Sequence, residues 1–200
     1  RSFLIFGEIG DQLYRIGMNI GDSGMIRAAQ GDYAQAIRNL KESLSIAEVT
    51  NSINEKSYKG GYLAMAQLLS EDFEAAEEAA RIAVQYDVPA NRHFVAAVHG
   101  IALARLGRRE DAMRAFENAA RYADNVLRFT SGLYNARYAH ALALAGLSLL
   151  RDESTAEALE DYGKAKAMCS TDGVVDQNLR LLGALDTENQ LTSIRNLLKS

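Results

Sequence analysis

One pattern occurs four times along the chain and restricts it to a fold of repeated units. Each copy has a small residue in a first helical segment, a polar turn, and an alanine in a second segment. The small residue lets the two segments approach closely, and the alanine packs into the facing groove. A hairpin of this kind cannot bury its apolar face alone, so consecutive hairpins stack. The four alanines are Ala36, Ala76, Ala112 and Ala158, and the turns lie near Gly31, Asp72, Gly107 and Asp152.

The residues between these turns favour helices. The chain is rich in alanine and leucine, with 48% hydrophobic residues and a single proline, Pro89. Alanine and leucine are among the best helix formers, whereas proline in a helix interior costs about 3 kcal/mol. We therefore expect an all-α chain. Gly100 and Gly146 are then the small residues of the third and fourth first helices, each packed against the second helix of its own hairpin.

The repeats resemble the tetratricopeptide repeat (TPR) family over roughly residues 11–168, most closely at residues 31–37 and 106–112. The resemblance implies an all-α, right-handed superhelix of antiparallel helix hairpins, a TPR-like α-solenoid. The marker alanines are 40, 36 and 46 residues apart, whereas the family norm is about 34. Longer first helices, at roughly residues 11–30, 51–69, 91–106 and 129–150, would absorb the excess. Such long repeats are similar to those of kinesin light chains and of the sensor arms of signal-transduction ATPases.

We divide the chain into three parts. Residues 1–10 are interpreted as the end of a preceding truncated repeat, because the chain starts with Arg1 and we expect a longer polypeptide. Residues 11–170 are four TPR-like helical hairpins. Residues 171–200 are interpreted as C-terminal capping helices, at about residues 174–184 and 187–198. This last part resembles the closing segment of repeat arms on AP-ATPase (STAND-type) signalling proteins.

Motifs for catalysis are missing from the sequence. It has no phosphate loop, no Gly-x-Ser-x-Gly elbow and no His-Glu-x-x-His pair. His93 and His99 are six residues apart and lie on different faces of one helix, so they do not predict a metal site. The single cysteine, Cys169, excludes an internal disulfide and a thiolate cluster. We expect no enzyme activity, no cofactor and no metal.

Charge and hydropathy limit the partners. A net charge of −4 argues against nucleic acid, and no apolar run approaches the roughly 20 residues that span a bilayer. A single cysteine and the lack of glycosylation acceptors fit a cytoplasmic protein. Between the second and third repeats, we expect the acidic turn at Glu71 and Asp72 to face the basic turn at Arg108 and Arg109.

The TPR resemblance also implies where a ligand would bind, because first helices of that family line the concave face. Projected onto this sequence, that face carries aromatic, apolar and a few basic side chains at one-face helical spacing. The alternative is that the aromatic residues pack between repeats. The full Lys/Asn clamp of chaperone-tail binders is absent from these positions. The candidate binding residues are Tyr58, Tyr62, Met65, Asn91, Phe94, Arg105, Arg137 and His140.

Three functions remain open from the sequence. The first is a protein- or peptide-binding TPR scaffold or sensor arm of a multidomain signalling protein, which would also contact upstream domains of the same chain. The second is a peptide-pheromone-type helical-repeat receptor. The third is an enzyme on an α-helical scaffold, which would need convergent acid and base residues that the sequence does not show.

Overall fold

The structure, a computed structural model, describes the backbone of residues 2–200 and the side chains of residues 10–200. Within this part of the chain it has ten helices and no strand, which confirms the all-α prediction. The helices are α1 Ser2–Ala29, α2 Tyr33–Val49, α3 Ile53–Leu69, α4 Phe73–Ala83, α5 Pro89–Arg105, α6 Arg109–Phe129, α7 Tyr134–Arg151, α8 Ala156–Met168, α9 Asp172–Leu185 and α10 Thr192–Lys199.

The first eight helices pair into four hairpins, α1–α2, α3–α4, α5–α6 and α7–α8. Their short turns confirm the four predicted positions. Each turn needs one residue with a positive φ angle, which glycine adopts at no steric cost. Gly31 and Gly107 supply it in two turns, whereas Glu71 and Asp152, at φ of 66° and 56°, supply it in the others. Glycine is therefore not the only residue that ends these helices.

The hairpins form two layers. The first helices α1, α3, α5 and α7 pack side by side in chain order, and we call them the first-helix layer. Each second helix packs on the first helix of its hairpin, and α2, α4 and α6 also pack on the next first helix. Among the described residues, the second helices make no comparable contacts with one another. Each of α2, α4 and α6 thus fills the groove between two neighbouring first helices.

The side chain of Phe116 in α6 shows how closely these elements approach. It is fully buried, and its ring lies between Gly100 of α5 and Gly146 of α7. A Cβ atom would lie 2.7 Å from the ring at Gly100 and 2.5 Å at Gly146, well inside the usual carbon–carbon contact distance of about 3.5–4.0 Å. Gly100 packs within its own hairpin as predicted. For Gly146 the prediction is wrong, because its neighbour is the second helix of the preceding hairpin.

The first helices α3 and α5 lie close to their predicted bounds, but the longest repeat spacing has a different cause from the one predicted. Between the third and fourth repeats, the extra residues lengthen the second helix α6, which has 21 residues. The first helix α7 begins only at Tyr134, not near residue 129. At the other end, α1 is continuous from Ser2 to Ala29, whereas the prediction begins the first helix at about residue 11. The hypothesis that residues 1–10 end a preceding repeat depends on how their side chains pack. The side chains of residues 1–9 lie outside the described residues.

The boundary between α4 and α6 carries ion pairs, but not the predicted ones. Arg108, which directly precedes α6, contacts Glu77 of α4 at 3.4 Å and Asp111 in the first turn of α6 at 2.9 Å. Asp72 instead accepts a hydrogen bond from the backbone N–H of Ala75 and caps α4. The acidic turn is therefore used within its own hairpin, because an N-terminal cap satisfies an otherwise unpaired helix N–H.

The two C-terminal helices have different positions. The last helix, α10, packs on α8 and α9 and so covers the end of the last hairpin, where Ile194 and Leu198 are buried. In contrast, α9 lies across α3, α5 and α7. Since α9 makes no comparable contact with the second helices in the described part of the chain, it covers the opposite face of the first-helix layer. Asp186, after α9, accepts backbone hydrogen bonds from Glu188, Gln190 and Leu191 and fixes the connection to α10.

In residues 2–200, no helix combines the length and hydropathy that crossing a bilayer requires.

Candidate ligand-binding face

The surface that α3, α5 and α7 present to α9 is the candidate site, and we call it the inner face. α9 packs on it through one stripe of leucines. Leu181, Leu182 and Leu185 are 2%, 0% and 8% exposed. Burying a leucine side chain contributes about 1.5–3 kcal/mol, so apolar contact is the main force that holds α9. The inner face is thus a groove that accepts an amphipathic helix.

Two arginines hold α9 at separate points. Arg180 of α9 donates to the carbonyl oxygen of Ala28 in the last turn of α1, at 3.3 Å, and lies 3.4 Å from the Tyr33 hydroxyl. Arg105 of α5 donates to the carbonyl oxygen of Ala184 in the last turn of α9, at 3.0 Å. Both carbonyls belong to helix C-terminal turns, where a cation interacts favourably with the helix dipole. Arg105 recognises the C-terminal end of the docked helix.

A cavity of about 160 Å³ remains open between α9 and the first helices. Five aromatic side chains line it: Tyr58, Tyr62, Phe94, Tyr134 and Tyr138. The Tyr62 and Phe94 rings are 5.4 Å apart at an angle of 39°, within the range of favourable aromatic pairs. No charged side chain is among the described residues that line this cavity. The other lining residues are Met25, Asn91, Asn135, Ala139, Leu142, Val174, Gln177, Asn178 and Leu181.

Three tyrosine hydroxyls of the cavity lie near one another. Burial raises the pKa of Tyr62, and the neighbouring Tyr134 and Tyr58 raise it further. None of these three hydroxyls forms a hydrogen bond with another described side chain or carbonyl. Tyr138 differs, because its hydroxyl donates to the carbonyl oxygen of Cys169 at 2.8 Å and burial raises its pKa to about 12. The cavity therefore offers an aromatic surface and three hydroxyl groups to a ligand.

Six of the eight candidate residues lie at the inner face. Tyr58, Tyr62, Asn91 and Phe94 line the cavity. Asn91 is 4% exposed, and its amide already donates to the Ser57 carbonyl oxygen at 3.0 Å. Met65 is 2% exposed and lies where Gln177 and Arg180 of α9 approach the array. Arg105 binds the end of α9. The projection thus placed its candidates on α3 and α5 at the face that α9 covers, but it did not predict α9 there.

Arg137 and His140 lie elsewhere. The guanidinium of Arg137 is 3.1 Å from one carboxylate oxygen of Asp161 in α8, and His140 Nδ1 is 2.7 Å from the other. His140 Nε2 is also 3.5 Å from an Asp124 oxygen of α6. These side chains connect α7 to its neighbouring second helices and are not part of the inner face. The projection on α7 was in the wrong register.

The residues of α7 that line the cavity are Tyr134, Asn135, Tyr138, Ala139 and Leu142. The sequence contains a signal for them. Tyr134 and Tyr138 repeat the i, i+4 spacing of Tyr58 and Tyr62, which is one helix face. Aligning the repeats on their tyrosines would have placed α7 correctly.

The cluster of Asp124, His140 and Asp161 combines an imidazole with two carboxylates. Burial raises the pKa of Asp161, but hydrogen bonds and charges from His140 and Arg137 outweigh burial and lower it. Every charge in the cluster faces an opposite charge or a hydrogen-bond donor. The residues from 10 to 200 also contain no group of three or more side chains arranged to hold a metal ion. The cluster joins α7 to α6 and α8.

Neither the family models, the curated proteins nor the solved structures compared with this chain give a match.

Proposed function

We propose that this chain is a TPR-type scaffold that binds a protein or peptide at its inner face. The observation that carries the proposal is that the inner face already binds one amphipathic helix, α9, and keeps an aromatic cavity open beside it. A groove that binds the apolar face of a helix is a recurring mode of peptide recognition. In this proposal the four hairpins form a right-handed superhelix, and the inner face is its concave side.

The packing of the two layers supports the superhelix. First helices pack directly on one another, whereas each of α2, α4 and α6 sits between two of them. In this proposal each of α2, α4 and α6 acts as a wedge between two first helices and rotates its hairpin relative to the next. A rotation repeated from hairpin to hairpin produces the curvature of helical-repeat arrays and their concave binding surface.

The cavity determines what kind of side chain a partner would insert. A charged group would lose its hydration and find no opposite charge there, which is costly. Aromatic rings and tyrosine hydroxyls instead suit an apolar or aromatic side chain with a hydrogen-bonding tip, and tyrosine is enriched at binding hot spots. A volume of about 160 Å³ is below the roughly 300–1,000 Å³ of small-molecule sites. The size favours one side chain of a larger partner over a whole free ligand.

The wider role follows from the TPR resemblance. A sensor arm of a STAND-type signalling protein would use the inner face to hold a protein trigger or another domain of its own polypeptide. The alternative, a receptor for a short signalling peptide, would need a cavity that opens further than this one. An enzyme is disfavoured because the charged cluster around Asp161 lies outside the cavity and has its partners within the fold.

The test is selection of displayed random peptides on the full chain, followed by affinity measurements with cavity variants. Tyr62→Phe and Tyr134→Phe each remove one hydroxyl and leave the ring, so we expect selected peptides to bind about five- to tenfold more weakly, as for loss of one hydrogen bond. Tyr122→Phe, on the other side of α5, is the matched control and should not change affinity. Selection that enriches no peptide would contradict binding at the inner face. So would selected peptides that bind the wild type and all three variants with the same affinity.

A further inference from the structure

The helix α9 packs on the inner face and, near its C-terminal end, on α10, and its remaining side is open. Its leucine stripe is buried, whereas Asp172, Asp176 and Gly183 are exposed. Nothing else in the described chain covers the exposed side of α9. Its position is that of a ligand in a groove, in contrast to the first helices, which are covered on several sides.

The sequence of α9 weakens it as a helix. It has 14 residues, a length at which isolated helices are marginal in water. It also contains Gly173 and Gly183, and glycine is among the least favourable residues in a helix. At Gly183, a Cβ atom would meet no other atom within 4 Å, so packing does not require glycine there. The helical state of α9 therefore depends on its contacts with the inner face.

The segments on both sides of α9 also have contacts that do not involve α9. Before it, Tyr138 binds the Cys169 carbonyl at the end of α8. After it, α10 packs on α8, and Lys166 of α8 donates to the Leu197 carbonyl oxygen at 2.9 Å. α9 can leave the inner face by local unfolding while both flanking helices stay in place, since small structural units open with less free energy than the whole fold.

We propose that α9 is an exchangeable occupant, and that the partner is an amphipathic helix of another protein which binds the inner face in its place. This inference rests on the proposed function and specifies its partner. The incoming helix needs leucines or similar residues at the spacing of Leu181, Leu182 and Leu185, which matches the groove. A basic residue one position before the first leucine takes the position of Arg180. Arg105 then binds a carbonyl oxygen in its last turn.

The probe is a fluorescent peptide with the sequence of residues 170–187, titrated into the full chain. Its apparent affinity depends on the fraction of molecules in which α9 has left the inner face. Gly183→Ala favours the helical, docked α9, so peptide binding should weaken by about fivefold. Arg180→Ala in the chain removes the bond to the end of α1, so peptide binding should strengthen by about fivefold or more. Gly132→Ala, the same change at an exposed position with nothing within 4 Å of the added carbon, should leave the affinity unaltered.

A second readout is independent of peptide affinity. Cys169 is the only cysteine and lies just before α9, so a fluorescent label attached there reports the movement of the segment. The label signal should change when the peptide binds to the wild-type chain, and less in Gly183→Ala at the same peptide concentration. A control peptide with aspartate at the positions of Leu181, Leu182 and Leu185 should change the label signal neither in the wild type nor in Gly183→Ala.

Equal peptide affinity in the wild type, Gly183→Ala and Arg180→Ala would overturn exchange, as would no binding to any of them. Concentration-dependent dimerisation of Arg180→Ala with unaltered helix content would assign the groove to α9 of a second copy, and would also overturn a separate partner. The proposed function can survive either result, because the peptide selection tests the cavity with α9 in place. If Tyr62→Phe lowers the affinity of the selected peptides and Gly183→Ala does not change it, the peptides bind at the inner face without displacing α9.

Discussion

At the scale of single residues, the Phe116 ring sets how closely three helices pack. It contacts Gly100 on one side and Gly146 on the other, so α5, α6 and α7 meet at one fully buried side chain. A larger residue at either glycine must displace the same ring. The effects of the two positions are therefore coupled through Phe116, as expected for residues that share a neighbour.

We expect Gly100→Leu and Gly146→Leu each to lower the free energy of unfolding by about 1–3 kcal/mol or more, because overpacking a filled core forces strain. Gly146→Ala is the smaller version of the same change and should be destabilising as well. Urea denaturation gives the values, and Gly132→Ala, where the added carbon meets no atom within 4 Å, is the control. Adding Phe116→Leu should recover part of the loss in Gly146→Ala. If the effects of Gly146→Ala and Phe116→Leu on the free energy of unfolding are purely additive, the Phe116 ring does not transmit the strain.

His93 in α5 is a second residue whose surroundings affect the stability of the fold. Its side chain is fully buried, and neither ring nitrogen makes a hydrogen bond of normal geometry with the described residues. Burial lowers its pKa to about 4, with a smaller opposing contribution from the Ala90 backbone. In the folded chain it is therefore neutral at pH 7, as in an apolar core.

The pKa of His93 predicts acid sensitivity. Below the unfolded value of about 6.5, the unfolded chain binds a proton that the folded chain does not bind until about pH 4. Stability should therefore fall as the pH decreases through this window, by a total on the order of 3 kcal/mol. His93→Leu should remove most of this dependence when unfolding is measured between pH 7 and 4. A smaller slope will remain from His99, whose pKa burial also lowers. An unchanged slope in the variant would contradict the assignment to His93.

At the scale of helices, the ion pairs of Asp161 join α7 to α8. Asp161 is 5% exposed and has both Arg137 and His140 as partners. A buried carboxylate that loses a partner leaves a poorly compensated charge, which is more costly than the loss of an exposed pair. Arg137 thus contributes to the stability of the last hairpin and not to the inner face.

We predict that Arg137→Met lowers the free energy of unfolding by about 1–3 kcal/mol and does not change peptide affinity. Lys164→Met is a matched control on α8, because Lys164 pairs with Glu160 at 2.8 Å but both side chains are exposed. We expect that control to change stability much less than Arg137→Met does, because solvent screens an exposed ion pair. Thermal melting and binding measured on the same samples separate the two roles. A binding defect in Arg137→Met at unchanged Tm would return Arg137 to the ligand-binding face.

At the scale of the whole molecule, helix contacts among the described residues are local along the chain, except those of α9. Hairpins pack on their neighbours in sequence, which is the behaviour of an array with nearest-neighbour coupling. α9 differs because it contacts three first helices of three different hairpins at once. Its docking therefore couples hairpins that would otherwise interact only through their neighbours.

Hydrogen exchange followed by mass spectrometry should resolve this organisation. We expect the slowest amide exchange in α5 and α7, which have neighbours on both sides, and faster exchange in α2 and α9. Gly183→Ala should slow the exchange of α9 and leave that of α2 unchanged. Uniform protection along the chain, or protection of α9 equal to that of α5, would contradict a separately opening α9.

The sequence predicted the helices of this fold more reliably than their contacts. The four turns at Gly31, Asp72, Gly107 and Asp152 followed from local chemistry, since each turn residue acts within a few positions of itself. The face of α3 followed from the spacing of Tyr58 and Tyr62. On α7 the same reasoning failed for Arg137 and His140, because one residue of register rotates a side chain by about 100° around a helix.

By itself, the sequence determined that the chain is all-helical, where its hairpins turn, and that its last residues form two amphipathic helices. Only the tertiary structure decided that α9 lies on the inner face, that α6 and not α7 absorbs the long spacing, and that Phe116 joins three helices. The reason is that turns and helix caps are directional interactions between residues close in sequence, whereas apolar burial is not directional. The leucines of α9 would be buried equally well on any apolar surface of the right shape. Which surface that is depends on how α3, α5 and α7 lie together in space.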